Sequence, residues 1–238
     1  MNKTFKFLKR TLVSGLIFSF VFISLPFANN VHALTKCMKI TIVGDYESGK
    51  TNIRNRMTGY RFVATRNHTQ TSDSIYEVIR YDQNTSILCK IWDAAGEAKV
   101  KKQILNDRIL GSHFVIVTFD MTGTLNPKYD NLVEQAVIEW CNKIREKSPQ
   151  SHIILVGTKA DMVNSQAEVN KIRAKLEQMT QVFSRLSVAI TSSYNGNGIN
   201  ALTDIIKNNT NVANLPTCDN KFVAKGESDD ASRTCTIL

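Results

Sequence analysis

The chain has 238 residues, 42% of them hydrophobic and 21% charged, a balance that excludes a disordered protein and predicts a globular fold with a full core. The net charge of the chain is +9. Residues 1–33 contain four basic residues and no acidic residue, so the net charge of the remaining residues is +5. Because no basic run is interleaved with aromatic residues, we expect no nucleic-acid partner.

Residues 1–33 have the pattern of a secretory signal. A basic start precedes an apolar run over Leu12–Phe27, and a small-residue cleavage site follows at Val31-His32-Ala33. The apolar run is interrupted by small residues and a proline and is short for a membrane span. We favour a cleaved signal. An uncleaved anchor and a true start at Met38, where the first predicted strand opens, are the alternatives.

The first predicted strand, residues 38–43, leads into a loop that fits the phosphate-loop pattern G-x-x-x-x-G-K-[ST]. Such a loop points backbone N–H groups, and the positive end of the next helix, at one spot that suits a polyphosphate. Lys50 then reaches the β- and γ-phosphates, and the Thr51 hydroxyl binds Mg²⁺. The predicted nucleotide-binding residues of this loop are Gly44, Asp45, Tyr46, Glu47, Ser48, Gly49, Lys50 and Thr51.

From Met38 to about Asn208, apolar strand-like runs alternate with longer helical patterns, which predicts a mostly parallel sheet with helices on both faces. Residues 82–85 read Asp-Gln-Asn-Thr, a hairpin signal, so the second and third strands are expected to be antiparallel. Predicted strands cover 38–43, 74–81, 86–92, 113–119, 152–157 and 187–190. Predicted helices cover 50–58, 99–109, 129–147, 164–178 and 198–208.

The third predicted strand ends in Trp92-Asp93-Ala94-Ala95-Gly96-Glu97. An acid at a strand end beside a phosphate loop can hold Mg²⁺ through water, which is the role predicted for Asp93. The glycine just after it, Gly96, allows a backbone N–H to meet the γ-phosphate.

Two later loops suit a purine base. Thr158-Lys159-Ala160-Asp161 follows the fifth strand, and its final carboxylate can accept from N1–H and the 2-amino group of guanine, a pattern that adenine cannot satisfy. The Lys159 stem can lie along the base. Ser192 and Ser193, after the last strand, can offer a backbone N–H to the guanine O6.

The chain ends in Cys235-Thr236-Ile237-Leu238, a C-a-a-X box that predicts prenylation of Cys235. The polar segment 209–238 before it is expected to be a flexible tether. Prenylation is cytosolic whereas export is not, so the two ends of the chain indicate different compartments.

The five cysteines show no C-x-x-C spacing and are odd in number, which predicts neither a zinc site nor a disulfide framework. Cys89 and Cys141 lie in apolar-patterned segments and are expected to be reduced core residues. The cysteines thus favour a reducing compartment.

Over residues 37–208 the chain resembles the Ras superfamily of small GTPases, most closely its Rab branch. Residues 91–97, Ile-Trp-Asp-Ala-Ala-Gly-Glu, are similar to the family's W-D-T-A-G-Q-E, and residues 158–161 to its N/T-K-x-D motif. Residues 111–113 and 118–122 look like the Rab G-A-H and V-Y-D-V-T segments. The resemblance implies an α/β P-loop NTPase (small G-protein) fold, with six strands and one antiparallel pair. It also implies Mg²⁺ with GTP or GDP as ligands, and a monomer.

The family's switch I threonine, which binds Mg²⁺ and senses the γ-phosphate, is placed at Thr69 by counting back from Asp93 through the hairpin. Thr71 is the alternative. With Thr51 and Asp93, Thr69 completes the metal set that the resemblance implies. The usual Ile-Gly after this threonine is absent, which leaves open how the loop closes.

Two departures from the family concern hydrolysis. The catalytic residues implied are Lys50, Gly96 and Glu97, but family members carry Gln where this chain has Glu97. A carboxylate can accept from the attacking water, yet its charge opposes the phosphoryl oxygens. Tyr46 stands where the family usually has Gly and should crowd an arginine finger supplied by another protein. We therefore expect slow hydrolysis.

The leading interpretation is a GTP-binding switch with weak GTPase activity, acting at a membrane through its prenylated tail. The alternative is an interaction module that binds GTP but does not hydrolyse it. A third class, an ATP-using phosphate-loop kinase, is disfavoured by the guanine motif. The export-type N-terminus and the eukaryotic-type lipidation box together suggest a bacterial protein delivered into a host cell. Effector and regulator proteins cannot be inferred from the sequence.

Overall fold

The computed structural model describes residues 34–64, 73–81, 85–93, 108–122 and 130–218. Contacts divide the chain into two units, Met1–Val31 and His32–Leu238, and every described residue lies in the second unit. Within these described ranges, no helix has the length and apolar character that crossing a membrane requires.

In the described residues, six strands form one sheet in the order β2-β3-β1-β4-β5-β6. The strands are β1 (Leu34–Gly44), β2 (Asp73–Arg80), β3 (Thr85–Asp93), β4 (Phe114–Asp120), β5 (His152–Thr158) and β6 (Leu186–Ile190). β2 is antiparallel to β3, and every other neighbouring pair is parallel. The predicted fold class, with its one antiparallel pair at the hairpin, is therefore confirmed.

The longer helices of the described chain are α1 (Lys50–Met57), α2 (Asp130–Lys147), α3 (Gln166–Met179) and α4 (Ile199–Asn208). α3 begins where Ser165 accepts a hydrogen bond from the Glu168 N–H at 3.2 Å, which satisfies one of the unpaired donors of the first turn. Most of the predicted helix over 99–109 lies outside the described residues.

The central strands alternate their side chains between two apolar cores, one on each face of the sheet. In β4, Val115 and Val117 join the core that α2 and α3 cover, whereas Phe114 and Ile116 join the core that α1 and α4 cover. Burying one such side chain fully stabilises the fold by about 1.5–3 kcal/mol. The two cores cover both faces of the sheet, and the parallel strands β1, β3 and β5 finish at the same end of it.

β1 begins earlier than its apolar pattern predicts. Residues 34–37 pair with residues 85–88 of β3, although the predicted strand opens at Met38. These first residues are mixed in polarity, so the apolar run alone does not reveal them.

A C-terminal segment, residues 211–218, folds back against the start of β1. Thr217 bridges to Lys36, and the Cys37 N–H donates to Pro216 O at 2.8 Å. The Lys36 ammonium donates to Leu215 O at 3.0 Å. The described structure thus continues past the Asn208 boundary of the predicted domain, and residues 211–218 of the segment predicted to be flexible pack against β1.

This segment ends in a disulfide between Cys37 and Cys218, which lie 181 residues apart in the sequence. The cysteine spacing suggested no disulfide framework, yet this pair is joined, because tertiary packing rather than local spacing brings the two residues together. The prediction for Cys89 and Cys141 is confirmed: both are free and buried. Burial raises the pKa of both thiols, that of Cys141 to about 11. With one pair oxidised, the cysteines no longer favour a reducing compartment.

Candidate nucleotide site

The loop between β1 and α1 has the tight path expected of a phosphate loop. Gly44 has φ of 145°, and a Cβ there would meet the Thr118 carbonyl oxygen and Ser48 Oγ closer than 3.0 Å. Gly49 precedes α1 with φ of 88°, a conformation that glycine adopts without steric cost. The two predicted glycine positions are therefore required by this backbone.

Lys50 is buried, with 7% of its surface exposed, and its ammonium lies across the loop. It donates to Asp45 O at 2.7 Å and to Gly44 O at 3.3 Å. A buried ammonium is costly unless it meets acceptors, and here the loop's own carbonyl groups provide them. This arrangement holds the Lys50 ammonium against the carbonyl groups of the phosphate loop.

A network of hydroxyl groups joins the phosphate loop to the ends of β4 and β5. Ser48 Oγ lies 2.7 Å from Thr118 Oγ1, which also donates to Val43 O at 3.2 Å. Thr158 Oγ1 donates to Ser48 O at 2.8 Å and lies 3.0 Å from Phe119 O. Sequence reasoning assigned Thr158 to the base, whereas its hydroxyl contacts the phosphate loop.

Thr51 and Asp93 are brought together at the end of β3. The Thr51 hydroxyl donates to Asp93 Oδ2 at 2.5 Å, and Asp93 is fully buried. Hydroxyl and carboxylate oxygens are the ligand types that Mg²⁺ prefers, so this pair fits the predicted metal position. The described ranges contain no cluster of three or more His, Cys, Asp or Glu residues that could hold another kind of metal ion.

Arg54 also reaches this position, and sequence reasoning missed it. Its Nη1 lies 3.8 Å from Asp93 Oδ2, and its side chain is 14% exposed. Thr51 and Arg54 are three residues apart on α1, the spacing at which helical side chains share a face. That spacing is the one sequence signal that could have placed Arg54 beside the metal position.

The loop after β5 is held by charged hydrogen bonds. Lys159 has a left-handed backbone (φ 58°), and its ammonium lies 2.7 Å from Asp120 Oδ2. Asp120 also accepts from the Thr122 N–H at 2.9 Å and the Thr122 hydroxyl at 2.7 Å. Burial raises the pKa of Asp120, but hydrogen bonds from Lys159 and Thr122 outweigh it, so the net pKa is lowered. Lys159 is thus fixed by a carboxylate that stays ionised.

Asp161 faces the loop that follows β6. Its Oδ1 accepts a short hydrogen bond from the Ser192 hydroxyl, which fixes the direction of the carboxylate. The Ser192 N–H donates to Asn197 O at 2.9 Å and is therefore used within the fold. The two predicted base-binding loops thus lie in contact.

A second arginine of α1, also missed, holds the loop after β6. Arg56 Nε donates to Ser193 O at 2.5 Å, and its Nη2 donates to Tyr194 O at 2.7 Å. The Tyr194 ring meets the Phe62 ring edge-on, with centroids 5.7 Å apart. These contacts link α1, the chain after it and the predicted base loop.

Several predicted site residues cannot be compared with the structure. Thr69 and its alternative Thr71, with Gly96, Glu97 and Cys235, lie outside the described residues. Their roles stay predictions. Tyr46 is described, and about half of its surface (49%) is exposed on the phosphate loop.

The phosphate loop, the Thr51–Asp93 pair and the two base-type loops all lie at the carboxyl ends of parallel strands, where α/β proteins bind ligands. Fold and site together define a P-loop nucleotide-binding protein.

Comparison with known proteins makes this class more specific. The family model described as Roc, Ras of Complex, Roc domain of DAPkinase, matches residues 39–161. Rab-11C of Dictyostelium discoideum is 28% identical over 173 residues, which are 70% of this chain and 71% of that protein. The GTP-binding protein ypt5 of Schizosaccharomyces pombe is 25% identical over 145 residues, 60% of this chain and 65% of that protein. The chain belongs to the Ras superfamily of GTPases, as a divergent member close to Rab.

A solved structure shares the fold. Roco2 RocCORdC of Methanosarcina barkeri, bound to GDP, superposes with a TM-score of 0.56 at 19% identity. The match covers 73% of this chain and 48% of that one, so this chain spans about half the length of that protein.

Proposed function

We propose that this chain is a guanine-nucleotide switch that binds Mg²⁺·GTP and hydrolyses it slowly to GDP. The observation that carries the proposal is the buried Lys50 ammonium, held across the phosphate loop beside the Thr51–Asp93 pair. Family membership supports guanine nucleotides as the ligand.

Each end of the site has a separate task. Lys50 and the N–H groups of the phosphate loop bind and orient the phosphates. Thr51 and Asp93 would hold Mg²⁺, which when bound neutralises charge on the phosphate oxygens. At the other end, Asp161 accepts from the guanine N1–H and 2-amino group while Ser192 fixes its orientation. Because the Ser192 N–H already donates to Asn197 O, the contact with guanine O6 is assigned to the Ser193 N–H.

Slow hydrolysis is expected because this chain departs from the usual Ras-superfamily residue at two positions, Glu97 and Tyr46. Glu97 can orient the attacking water by accepting from it, but its charge repels the phosphoryl oxygens. Tyr46, half exposed on the phosphate loop, would crowd an arginine supplied by an activating protein. A module that binds GTP without hydrolysing it is the second candidate, favoured by the same two residues.

Single-turnover hydrolysis of GTP by the purified full-length chain tests this proposal. We expect Glu97→Gln to accelerate hydrolysis by about tenfold or more, which corresponds to about 1.4 kcal/mol of the barrier. As a control, the nucleotide that copurifies with the chain is extracted and identified. Fast hydrolysis that Glu97→Gln does not change would contradict slow turnover. GTP recovered intact after hours would favour the second candidate.

We also propose that the chain is exported through an oxidising compartment and acts at a host membrane after prenylation of Cys235. The Cys37–Cys218 disulfide adds to the signal-like residues 1–33 as support for export, because such bonds persist in oxidising compartments. The lipidation box supports the membrane step. In eukaryotic cells we expect Cys235→Ser to move the chain from membranes to the soluble fraction. Identical fractionation of both proteins would end this proposal.

A further inference from the structure

The position predicted for Mg²⁺ already has a cation beside it. Arg54 Nη1 forms an ion pair with Asp93 Oδ2 at 3.8 Å, and the Thr51 hydroxyl donates to the same carboxylate oxygen. Asp93 is 0% exposed and the Arg54 side chain 14%, so water screens this pair only weakly.

Burying an ionised carboxylate without a positive partner costs free energy and destabilises the folded state. In a site that relies on a divalent cation, removing the ion leaves this carboxylate uncompensated close to the phosphates, whose charge has the same sign. A guanidinium stays protonated at any pH that a folded protein tolerates. Arg54 therefore supplies Asp93 with a positive charge whether or not a divalent cation is bound.

The same charge opposes a divalent cation. Arg54 Nη1 lies 3.8 Å from Asp93 Oδ2. An ion bound to Thr51 and Asp93 would therefore lie close to the Arg54 guanidinium, and like charges at such distances repel. Arg54 thus weakens the binding of the divalent cation. It also reduces the effect that loss of this cation has on nucleotide retention.

We propose that Arg54 is a built-in counter-cation for Asp93, which makes nucleotide retention by this protein only weakly dependent on Mg²⁺. The inference rests on the proposed function, since it concerns how the same site holds a guanine nucleotide. Arg54 is a positioning residue in this role, acting through Asp93.

The test measures release of a fluorescent GDP (mant-GDP) from the full-length chain in excess Mg²⁺ and in excess EDTA. We expect EDTA to accelerate release from the unchanged protein by less than about fivefold, the lower end of typical coupling between two sites. In Arg54→Leu and Arg54→Gln the factor should rise well above about fivefold. Arg54→Lys, which keeps the charge, should restore the low factor.

A Mg²⁺ titration of the release rate gives a second readout. The Mg²⁺ concentration at the midpoint of the change in release rate should be lower in Arg54→Leu than in the unchanged protein, because a repulsive charge has been removed. If Arg54 only stabilises the fold, the substitution lowers the midpoint of urea unfolding and leaves the EDTA factor unchanged, which overturns the inference.

The outcomes separate the two proposals. A large EDTA factor in the unchanged protein, or equal factors in all variants, overturns the role of Arg54 and leaves guanine-nucleotide binding intact. A chain that binds no mant-GDP with or without Mg²⁺ overturns the proposed function, and the role of Arg54 falls with it.

Discussion

Gly44 is the residue at which β1 turns into the phosphate loop, and its neighbours leave no room for a side chain. A Cβ at Gly44 would lie closer than 3.0 Å to both the Thr118 carbonyl oxygen and Ser48 Oγ, and the backbone φ of 145° is one that other residues rarely adopt. The close approach lets Ser48 bond to Thr118 and fixes the loop to β4.

Replacing Gly44 by Ala should therefore be strongly destabilising. We expect the free energy of unfolding to fall by about 2–4 kcal/mol, from backbone strain and overpacking together. Urea denaturation of the nucleotide-free protein measures this change.

Gly111 provides the matched control, because its φ is 69° and no described residue lies within 4 Å of an added Cβ. Gly111→Ala tests strain without crowding and should cost about 1–2 kcal/mol. An equal fall in the free energy of unfolding in the two variants would show that crowding around Gly44 does not contribute to the loss of stability.

The residues of this site differ in how far sequence can predict them. Lys50 and Thr51 follow from a fixed pattern, because the backbone of a phosphate loop dictates what occupies those positions. Arg54 and Arg56 lie on the same helix but belong to no pattern. Their roles depend on which way two long side chains turn, and on β3 and the loop after β6 being close by.

At the scale of elements, the sheet was predictable because its central strands are continuous apolar runs separated by helical patterns. The hairpin signal in the sequence of residues 82–85 also predicted that β2 is antiparallel to β3, as observed. The start of β1 and the segment 211–218 were not predictable. Both are polar or mixed stretches whose order comes from pairing with each other and with β3.

The Cys37–Cys218 disulfide holds segment 211–218 against β1, and its loss should weaken the whole domain. It closes a long loop, so on the chain-entropy model it stabilises the folded state by about 2–5 kcal/mol. We expect Cys37→Ser, or reduction with dithiothreitol, to lower the free energy of unfolding by that amount. Urea denaturation with and without reductant measures it.

The control for this prediction is the Cys37→Ser variant itself, which should be insensitive to dithiothreitol. Cys89 and Cys141 are buried and free, so reductant has no other disulfide to act on in the described part of the chain. An unfolding curve of the unchanged protein that reductant does not shift would contradict a stabilising disulfide.

At the scale of the whole domain, one edge of the sheet gathers the ends of β1, β3 and β5, and hydrogen bonds join the loops that follow them. The Thr158 hydroxyl links the base end to the phosphate loop, and Arg56 links α1 to the loop after β6. The phosphate loop and the base loops are therefore joined by direct contacts.

The Cys37–Cys218 bond also changes the topology of the chain, since it closes residues 37–218 into a covalent ring. Every described residue of the nucleotide site lies within this ring. A single backbone cut inside the ring leaves one molecule, whose two pieces separate only on reduction. The terminal segments can be cut away while the ring stays closed.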